Sequence, residues 1–130
     1  DNLNDSTSTF KAELNSMKFI LDTVEAYTDS FFLIDEMLRG TNSVDKYLGS
    51  RAIIKKLVRL DGKGMVATHD LQLSSLQEEF PGDIKNYHFD IRVDEGQMLF
   101  DYKLKIGECK IFNASLLLKG IGVDIDENME

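Results

Sequence analysis

The chain has 130 residues, of which 42% are hydrophobic and 29% are charged, a composition typical of a globular unit rather than a linker. No apolar run approaches the roughly 20 residues of a membrane-spanning helix. The single cysteine, Cys109, excludes an internal disulfide and a cysteine-rich zinc site, and it fits a reducing cytoplasm. The formal charge of −8 argues against a surface that binds nucleic acid phosphates, which requires clustered Lys and Arg.

The first predicted element is a helix that begins at Phe10 and ends near Tyr27. Its apolar residues recur at alternating steps of four and three: Phe10, Leu14, Met17, Leu21 and Val24. The polar residues 1–9 predict a loop, with Ser8 or Thr9 as the N-cap of the helix. A helix N-terminus after such a loop can also bind an anion, because free N–H groups and the helix dipole point the same way. An ordinary capped helix would show the same pattern.

A short unbroken apolar run, residues 31–34, predicts the first strand. Such a run is typical of a parallel strand that is buried on both faces. Asp35 and Glu36 follow it directly, and ligands of open α/β sheets collect at the carboxyl ends of strands. The pair is therefore a candidate site, although acidic residues are also common at solvated strand ends.

The second predicted helix is capped by Asn42 or Ser43 and ends at residues 61–64. It carries the densest basic group of the chain: Arg51, Lys55, Lys56 and Arg59. Cations near a helix C-terminus interact favourably with the helix dipole. We therefore interpret this group as part of the helix and not as a nucleic-acid surface.

Residues 65–67 predict a second strand, parallel to the first because a helix connects the two. Parallel strands end at the same edge of a sheet, so His69 should lie beside Asp35 and Glu36 although the sequence separates them widely. A histidine at that edge favours a functional role over a structural one. A short amphipathic helix is predicted next, over residues 71–80.

The C-terminal part predicts a hairpin and a closing helix. Residues 87–93 and 98–104 alternate apolar and polar side chains around a turn that contains Gly96. His88 lies inside the first of these strands, and we interpret it as structural. Residues 111–119 predict the helix, and residues 124–130 an acidic tail.

Three motifs in this order resemble those of the C-terminal half of the MutS-family ATPase domain, within the ABC-type P-loop ATPases. Residues 1–10 with Glu13 resemble the signature loop and its helix. Leu33-Ile34-Asp35-Glu36, followed by Arg39-Gly40-Thr41 and Asp45, resembles the Walker B strand and the D-loop, and Ala67-Thr68-His69 resembles the switch histidine motif. A weaker match near the end extends the resemblance over residues 1–123. It implies a partial P-loop NTPase fold with parallel strands, flanking helices and a C-terminal antiparallel hairpin.

The resemblance also implies roles for the residues at the strand ends, with ATP and Mg²⁺ as cofactors. Asp35 would hold Mg²⁺ through water, since Mg²⁺ keeps much of its hydration shell. Glu36 would position or deprotonate the attacking water, and His69 would contact the γ-phosphate. Phosphoryl transfer mainly requires positioned groups and neutralised charge, which such a set can supply.

Other residues would act across a homodimer interface. Ser8 and Thr9 would touch the γ-phosphate of ATP bound to the partner subunit, and Asp45 would lie along the dimer seam. Two departures from the family pattern indicate a divergent branch. Ser6-Thr7 stands where members often carry Gly-Arg, and Asp70 stands where an aromatic residue often follows the switch histidine.

The phosphate loop GxxxxGK[ST] does not occur in the sequence, since Leu57 and Gly64 break the nearest match. In the family that loop precedes the signature region. We therefore expect a fragment that does not hydrolyse ATP by itself, cut from a MutS-like ATPase of the DNA mismatch repair type that binds DNA through other regions. An alternative is a dimerisation module with a degenerate nucleotide site, which the Ser6-Thr7 departure motivates. A different ABC-type ATPase is disfavoured by Arg39-Gly40-Thr41.

Overall fold

Helices and short strands alternate along the chain in the computed structural model, which describes residues 2–109 and 114–124. The predicted mixed α/β class is confirmed. The elements are α1 (Asn2–Ala26), β1 (Phe32–Asp35), α2 (Ser43–Arg59), β2 (Gly64–Ala67), a 3₁₀ helix (Leu71–Ser75), α3 (Leu76–Glu79), β3 (Tyr87–His88), β4 (Ile91–Asp94), β5 (Gln97–Phe100), β6 (Lys105–Ile106) and α4 (Ala114–Gly120). They belong to two compact units, Asp1–Asp83 and Ile84–Glu130. Among the described helices, none combines the length and apolar character needed to cross a membrane.

Helix α1 begins at Asn2 and not at Phe10, so the predicted loop over residues 1–9 is wrong for the part that is described. The helix runs for 25 residues to Ala26 and contains neither Gly nor Pro. Ser, Thr, Asn and Asp cost only a fraction of a kcal/mol each inside a helix, roughly 0.7 at most. The polar composition therefore does not stop the helix, and Ser8 and Thr9 are interior residues rather than caps.

Strands β1 and β2 pair in parallel, as predicted, with Phe32 opposite Gly64 and Asp35 opposite Ala67. The prediction that β1 is buried on both faces is wrong. Ile34 faces the core, whereas Leu33 is 71% exposed and its register partner Met65 is 57% exposed. None of the described elements of the first unit covers the face that carries these two side chains.

The core of the first unit lies between α1, α2 and the inner face of the sheet. Its buried members come from all three elements and from the loop after β1: Val24, Ile34, Met37, Leu38 and Leu57. Met37 and Leu38 directly follow the acidic pair at the end of β1. Their burial anchors the loop on the core side of the sheet end.

Helix α2 begins as predicted. Asn42 is its N-cap, and its side-chain oxygen accepts a hydrogen bond from the backbone N–H of Asp45. Arg51 differs from the rest of the basic group, because its guanidinium forms a bidentate pair with the Glu79 carboxylate. The predicted helix over residues 71–80 is instead a 3₁₀ turn followed by the single turn of α3, and the Arg51–Glu79 pair joins α3 to α2.

The second unit contains the predicted antiparallel hairpin. Strand β4 pairs with β5, and Asp94 opposite Gln97 leaves Glu95 and Gly96 as the turn. Both turn residues have positive φ, 52° and 77°, which a two-residue hairpin turn requires and glycine favours. The first predicted strand, over residues 87–93, is interrupted, because β3 pairs with β6 and only β4 pairs with β5. The second predicted strand is shorter than expected, since β5 ends at Phe100.

His88 has structural contacts within the second unit, in line with its interpretation. Its Nδ1 lies 2.8 Å from the carbonyl oxygen of Gly107, and its Nε2 lies 3.1 Å from Asp90 Oδ1. Lys105 contacts Asp90 and Asp101 at 2.6 and 2.8 Å, and its hydrogen bond lowers the pKa of Asp90. Helix α4 ends at Gly120, while the predicted start of this helix at residues 111–113 and the tail over 125–130 lie outside the described residues.

Candidate active site

The carboxyl ends of β1 and β2 bring the acidic pair and the histidine region together, as the sequence predicts. Asp35 is the register partner of Ala67, and the backbone N–H of Glu36 continues the ladder by donating to the Ala67 carbonyl at 2.8 Å. Glu36 therefore lies directly beside the Thr68-His69 segment. The parallel pairing, and not proximity in sequence, forms this site.

The Glu36 carboxylate is held by three donors. Its Oε1 accepts a hydrogen bond from the backbone N–H of His69 at 2.5 Å, and its Oε2 accepts one from Thr68 Oγ1 at 3.2 Å. Lys46 Nζ lies 3.1 Å from the same Oε2. Burial alone would raise the pKa of Glu36. The hydrogen bonds from the His69 N–H, Lys46 and Thr68 and the charge of Lys46 together outweigh this effect, so the pKa lies below its ordinary value.

The side chains of Asp35 and His69 are not held by other residues in the way that the Glu36 carboxylate is. Both side chains are exposed, and neither makes a hydrogen bond or ion pair within the described part of the chain. The contact between the His69 region and Glu36 is made by the backbone N–H and leaves the imidazole free to face a ligand. The described residues also contain no group of three or more His, Cys, Asp or Glu side chains that could hold a metal ion.

The loop after Glu36 adopts backbone conformations that are unusual for its residues. Glu36 and Leu38 have φ values of 55° and 57°, in the left-handed region where non-glycine residues cost of order 1–3 kcal/mol. Such residues persist only when their surroundings hold them in place. Here the burial of Met37 and Leu38 provides part of that restraint.

Glu13 of α1 provides a second restraint on this loop. Its two carboxylate oxygens accept hydrogen bonds from the backbone N–H groups of Arg39 and Gly40 at 2.6 and 2.8 Å. The Arg39 guanidinium in turn donates to the carbonyl oxygen of Asp35 at 3.3 Å. A Cβ at Gly40 would lie 3.0 Å from Phe10 Cβ, so glycine allows the loop to approach α1 closely.

Replacing Glu13 by Gln should lower the free energy of unfolding by about 1 kcal/mol, the typical net contribution of one intramolecular hydrogen bond. The amide keeps only one acceptor oxygen, so either Arg39 or Gly40 loses its partner. Urea unfolding of the chain followed by circular dichroism measures the change. Glu25→Gln is the matched control, because Glu25 is exposed on the same helix, and equal stability of the two variants would contradict the role of Glu13.

Of the residues assigned to the dimer interface, Ser8 and Thr9 occupy positions that differ from expectation. Ser8 and Thr9 lie inside α1 with exposed side chains, and only the first turn of a helix leaves N–H groups unpaired. The predicted helix N-terminus at these two residues is therefore wrong, whereas their contact with ATP stays a prediction. Asp45 is exposed in the first turn of α2, where its carboxylate accepts a hydrogen bond from Asn42 Nδ2 at 2.8 Å.

Asp70, which departs from the family pattern after the histidine, has a local role. Its carboxylate accepts a hydrogen bond from the backbone N–H of Gln72 at 3.0 Å and caps the 3₁₀ helix. Its own N–H donates to Thr68 Oγ1 at 3.0 Å. Asp70 thereby orients the hydroxyl that contacts Glu36.

Sequence reasoning missed Lys46 and did not assign a contact to Glu13. The sequence carries no local signal for either contact. Lys46 reaches Glu36 because α2 packs near the end of β1, and the partners of Glu13 are backbone groups of a distant loop.

Comparison with known proteins shows the family to which the chain is similar. The family model described as MutS domain V matches residues 1–116. Three proteins named DNA mismatch repair protein MutS are similar: that of Aquifex pyrophilus is 35% identical over 79% of the chain, that of Caldicellulosiruptor bescii 30% over 84%, and that of Halalkalibacterium halodurans 31% over 83%. The chain spans only 12–13% of the length of these relatives. The resemblance inferred from the motifs is thus confirmed, and the chain belongs to the MutS family as a segment corresponding to its domain V.

Proposed function

We propose that this chain supplies half of an ATP-hydrolysing site in a MutS-like, DNA-associated protein. The observation that carries the proposal is the convergence of Asp35, Glu36 and the His69 backbone at one edge of a parallel sheet. Ligands of α/β sheets bind at this edge. The relatives named as mismatch repair proteins support the DNA-associated role, and a P-loop fold for the complete domain is part of the same proposal.

The residues at the site fit a Mg²⁺–nucleotide complex. Mg²⁺ usually binds through one or two carboxylates, waters and substrate phosphates, without a cage made only of protein. Asp35 offers an exposed carboxylate that has no competing partner among the described residues. When bound, Mg²⁺ would neutralise charge on the phosphate oxygens. Asp35 would hold it at the strand end.

Glu36 would orient the attacking water. The three donors on its carboxylate keep it ionised and restrict its rotation. The same donors reduce the basicity of the carboxylate. Glu36 would therefore accept a hydrogen bond from the water more readily than it would remove a proton completely. The His69 imidazole, exposed beside it, would contact the γ-phosphate.

The dimeric arrangement is a further part of the proposal. The exposed hydroxyls of Ser8 and Thr9 on α1 would reach ATP held by the partner subunit, and Asp45 would lie along the seam. Glu13 connects the helix that carries these hydroxyls to the loop after Glu36. Binding of a partner at α1 would therefore act on a segment that is joined to the active site. DNA would be bound by other regions of the protein.

Asp35→Asn in the full-length protein tests this function. We expect half-maximal ATP turnover to require about tenfold more Mg²⁺, because the amide is a weaker ligand than the carboxylate. Titration of turnover against Mg²⁺ measures the shift, with Asp29→Asn, an exposed aspartate in a turn, as the control. If the chain is instead a dimerisation module with a degenerate site, the protein should form dimers without ATP. It should also show no Mg²⁺-dependent turnover, with or without the substitution. Sedimentation of both variants with and without ATP separates the two functions.

A further inference from the structure

Lys46 is the cation closest to the proposed catalytic carboxylate in the described part of the chain. Its Nζ lies 3.1 Å from Glu36 Oε2, and the two side chains are only 27% and 12% exposed. A partly buried ion pair is screened less by solvent and salt than a surface pair. The pair also joins α2, which carries Lys46, to the end of β1.

The backbone of Lys46 belongs to the regular part of α2. It lies next to Asp45 and four residues after the cap Asn42, and its N–H donates to the Asn42 carbonyl at 2.8 Å. The helix therefore fixes the position from which the Lys46 side chain reaches Glu36.

The donors to the Glu36 carboxylate come from two different elements. The His69 N–H and the Thr68 hydroxyl both approach from the end of β2. Lys46 approaches from α2 and contacts the same oxygen as Thr68. A planar carboxylate with donors from two elements cannot rotate without losing at least one of them.

We propose that Lys46 is a positioning residue, which holds the Glu36 carboxylate against the end of β2 in the orientation needed for phosphoryl transfer. The inference rests on the proposed function for its catalytic consequence. The structural claim is that Lys46 restrains Glu36 and, through it, the His69 backbone. This claim depends only on the contacts of Lys46 and His69 with the Glu36 carboxylate.

The test compares Lys46→Met with Lys46→Arg in the full-length protein. Methionine keeps an unbranched apolar stem without the charge, while arginine keeps the charge and can donate to the same oxygen. The first readout is hydrogen exchange at the His69 amide, measured by mass spectrometry with fragmentation to single amides. We expect exchange about three- to tenfold faster in Lys46→Met, because the acceptor of this amide loses its restraint, and near-normal exchange in Lys46→Arg.

The second readout is steady-state ATP turnover. Lys46→Met should lower kcat about tenfold with KM changed by about twofold or less, since misplacing a catalytic group affects the chemical step more than substrate binding. Lys46→Arg should restore most of the loss. Lys18→Met is the matched control, because it removes an exposed ion pair with Asp22 elsewhere on the first unit. It should leave both readouts unchanged.

The outcomes separate this inference from the proposed function. Unchanged His69 exchange and unchanged kcat in Lys46→Met would overturn the role of Lys46, whatever Glu36 does. A rise in kcat would overturn it too, because Lys46 would then restrain Glu36 in an inactive orientation. Faster His69 exchange together with a Glu36→Gln variant of normal turnover would support the restraint by Lys46 and overturn the catalytic assignment of Glu36.

Discussion

Replacing Glu36 by Gln in the full-length protein is expected to lower steady-state ATP turnover by roughly 100- to 1,000-fold, within the range for loss of a catalytic carboxylate. The amide cannot carry the negative charge that orients the water. It must also present an N–H₂ group to Lys46 or to the His69 N–H, which both donate. Nucleotide affinity should change little, since Glu36 is not assigned to the phosphates.

The controls for this variant address folding and specificity. Glu78→Gln, which changes an exposed glutamate of α3, should retain turnover within about twofold, as is usual for surface substitutions. Binding of a fluorescent nucleotide checks that Glu36→Gln still forms the site. Near-normal ATP turnover in Glu36→Gln, with nucleotide binding intact, would contradict the catalytic role of Glu36.

The sequence was sufficient to predict the part of the site that follows from strand topology. An apolar run before Asp35 and Glu36, a capped helix, and a second run before His69 imply parallel strands with a common edge. The structure places the Glu36 carboxylate within hydrogen-bonding distance of the His69 backbone. That prediction succeeded because right-handed strand–helix–strand units leave little freedom in where the strand ends lie.

The failures of prediction have physical causes as well. The residue types of Ser8 and Thr9 favour a cap, but nothing in residues 2–9 is costly enough to end α1. The apolar run around Leu33 predicts a buried face, yet Leu33 is 71% exposed. Composition does not specify which face of a two-stranded sheet is covered. The contacts of Glu13 and Lys46 depend on tertiary packing that no local pattern encodes.

The relation between β1 and β2 depends on one glycine in particular. Gly64 lies opposite Phe32 in the parallel register. A Cβ at Gly64 would lie 2.4 Å from the Phe32 carbonyl oxygen and 2.3 Å from the Phe32 ring. Such distances require movement of the backbone, because the carbonyl oxygen cannot rotate away as a side chain can. Gly64 therefore permits the close pairing that places Asp35 beside Ala67.

Gly64→Ala is accordingly expected to lower the free energy of unfolding of the chain by about 2–3 kcal/mol, the upper range for overpacking. Urea unfolding followed by circular dichroism measures it. Gly82→Ala is the control, because a Cβ there meets no atom within 4 Å, and it should change stability by about 0.5 kcal/mol or less. In the full-length protein, Gly64→Ala should also lower ATP turnover, since a shift of β2 moves the donors of Glu36. Stability equal to that of Gly82→Ala would show that the two strands do not need this close approach.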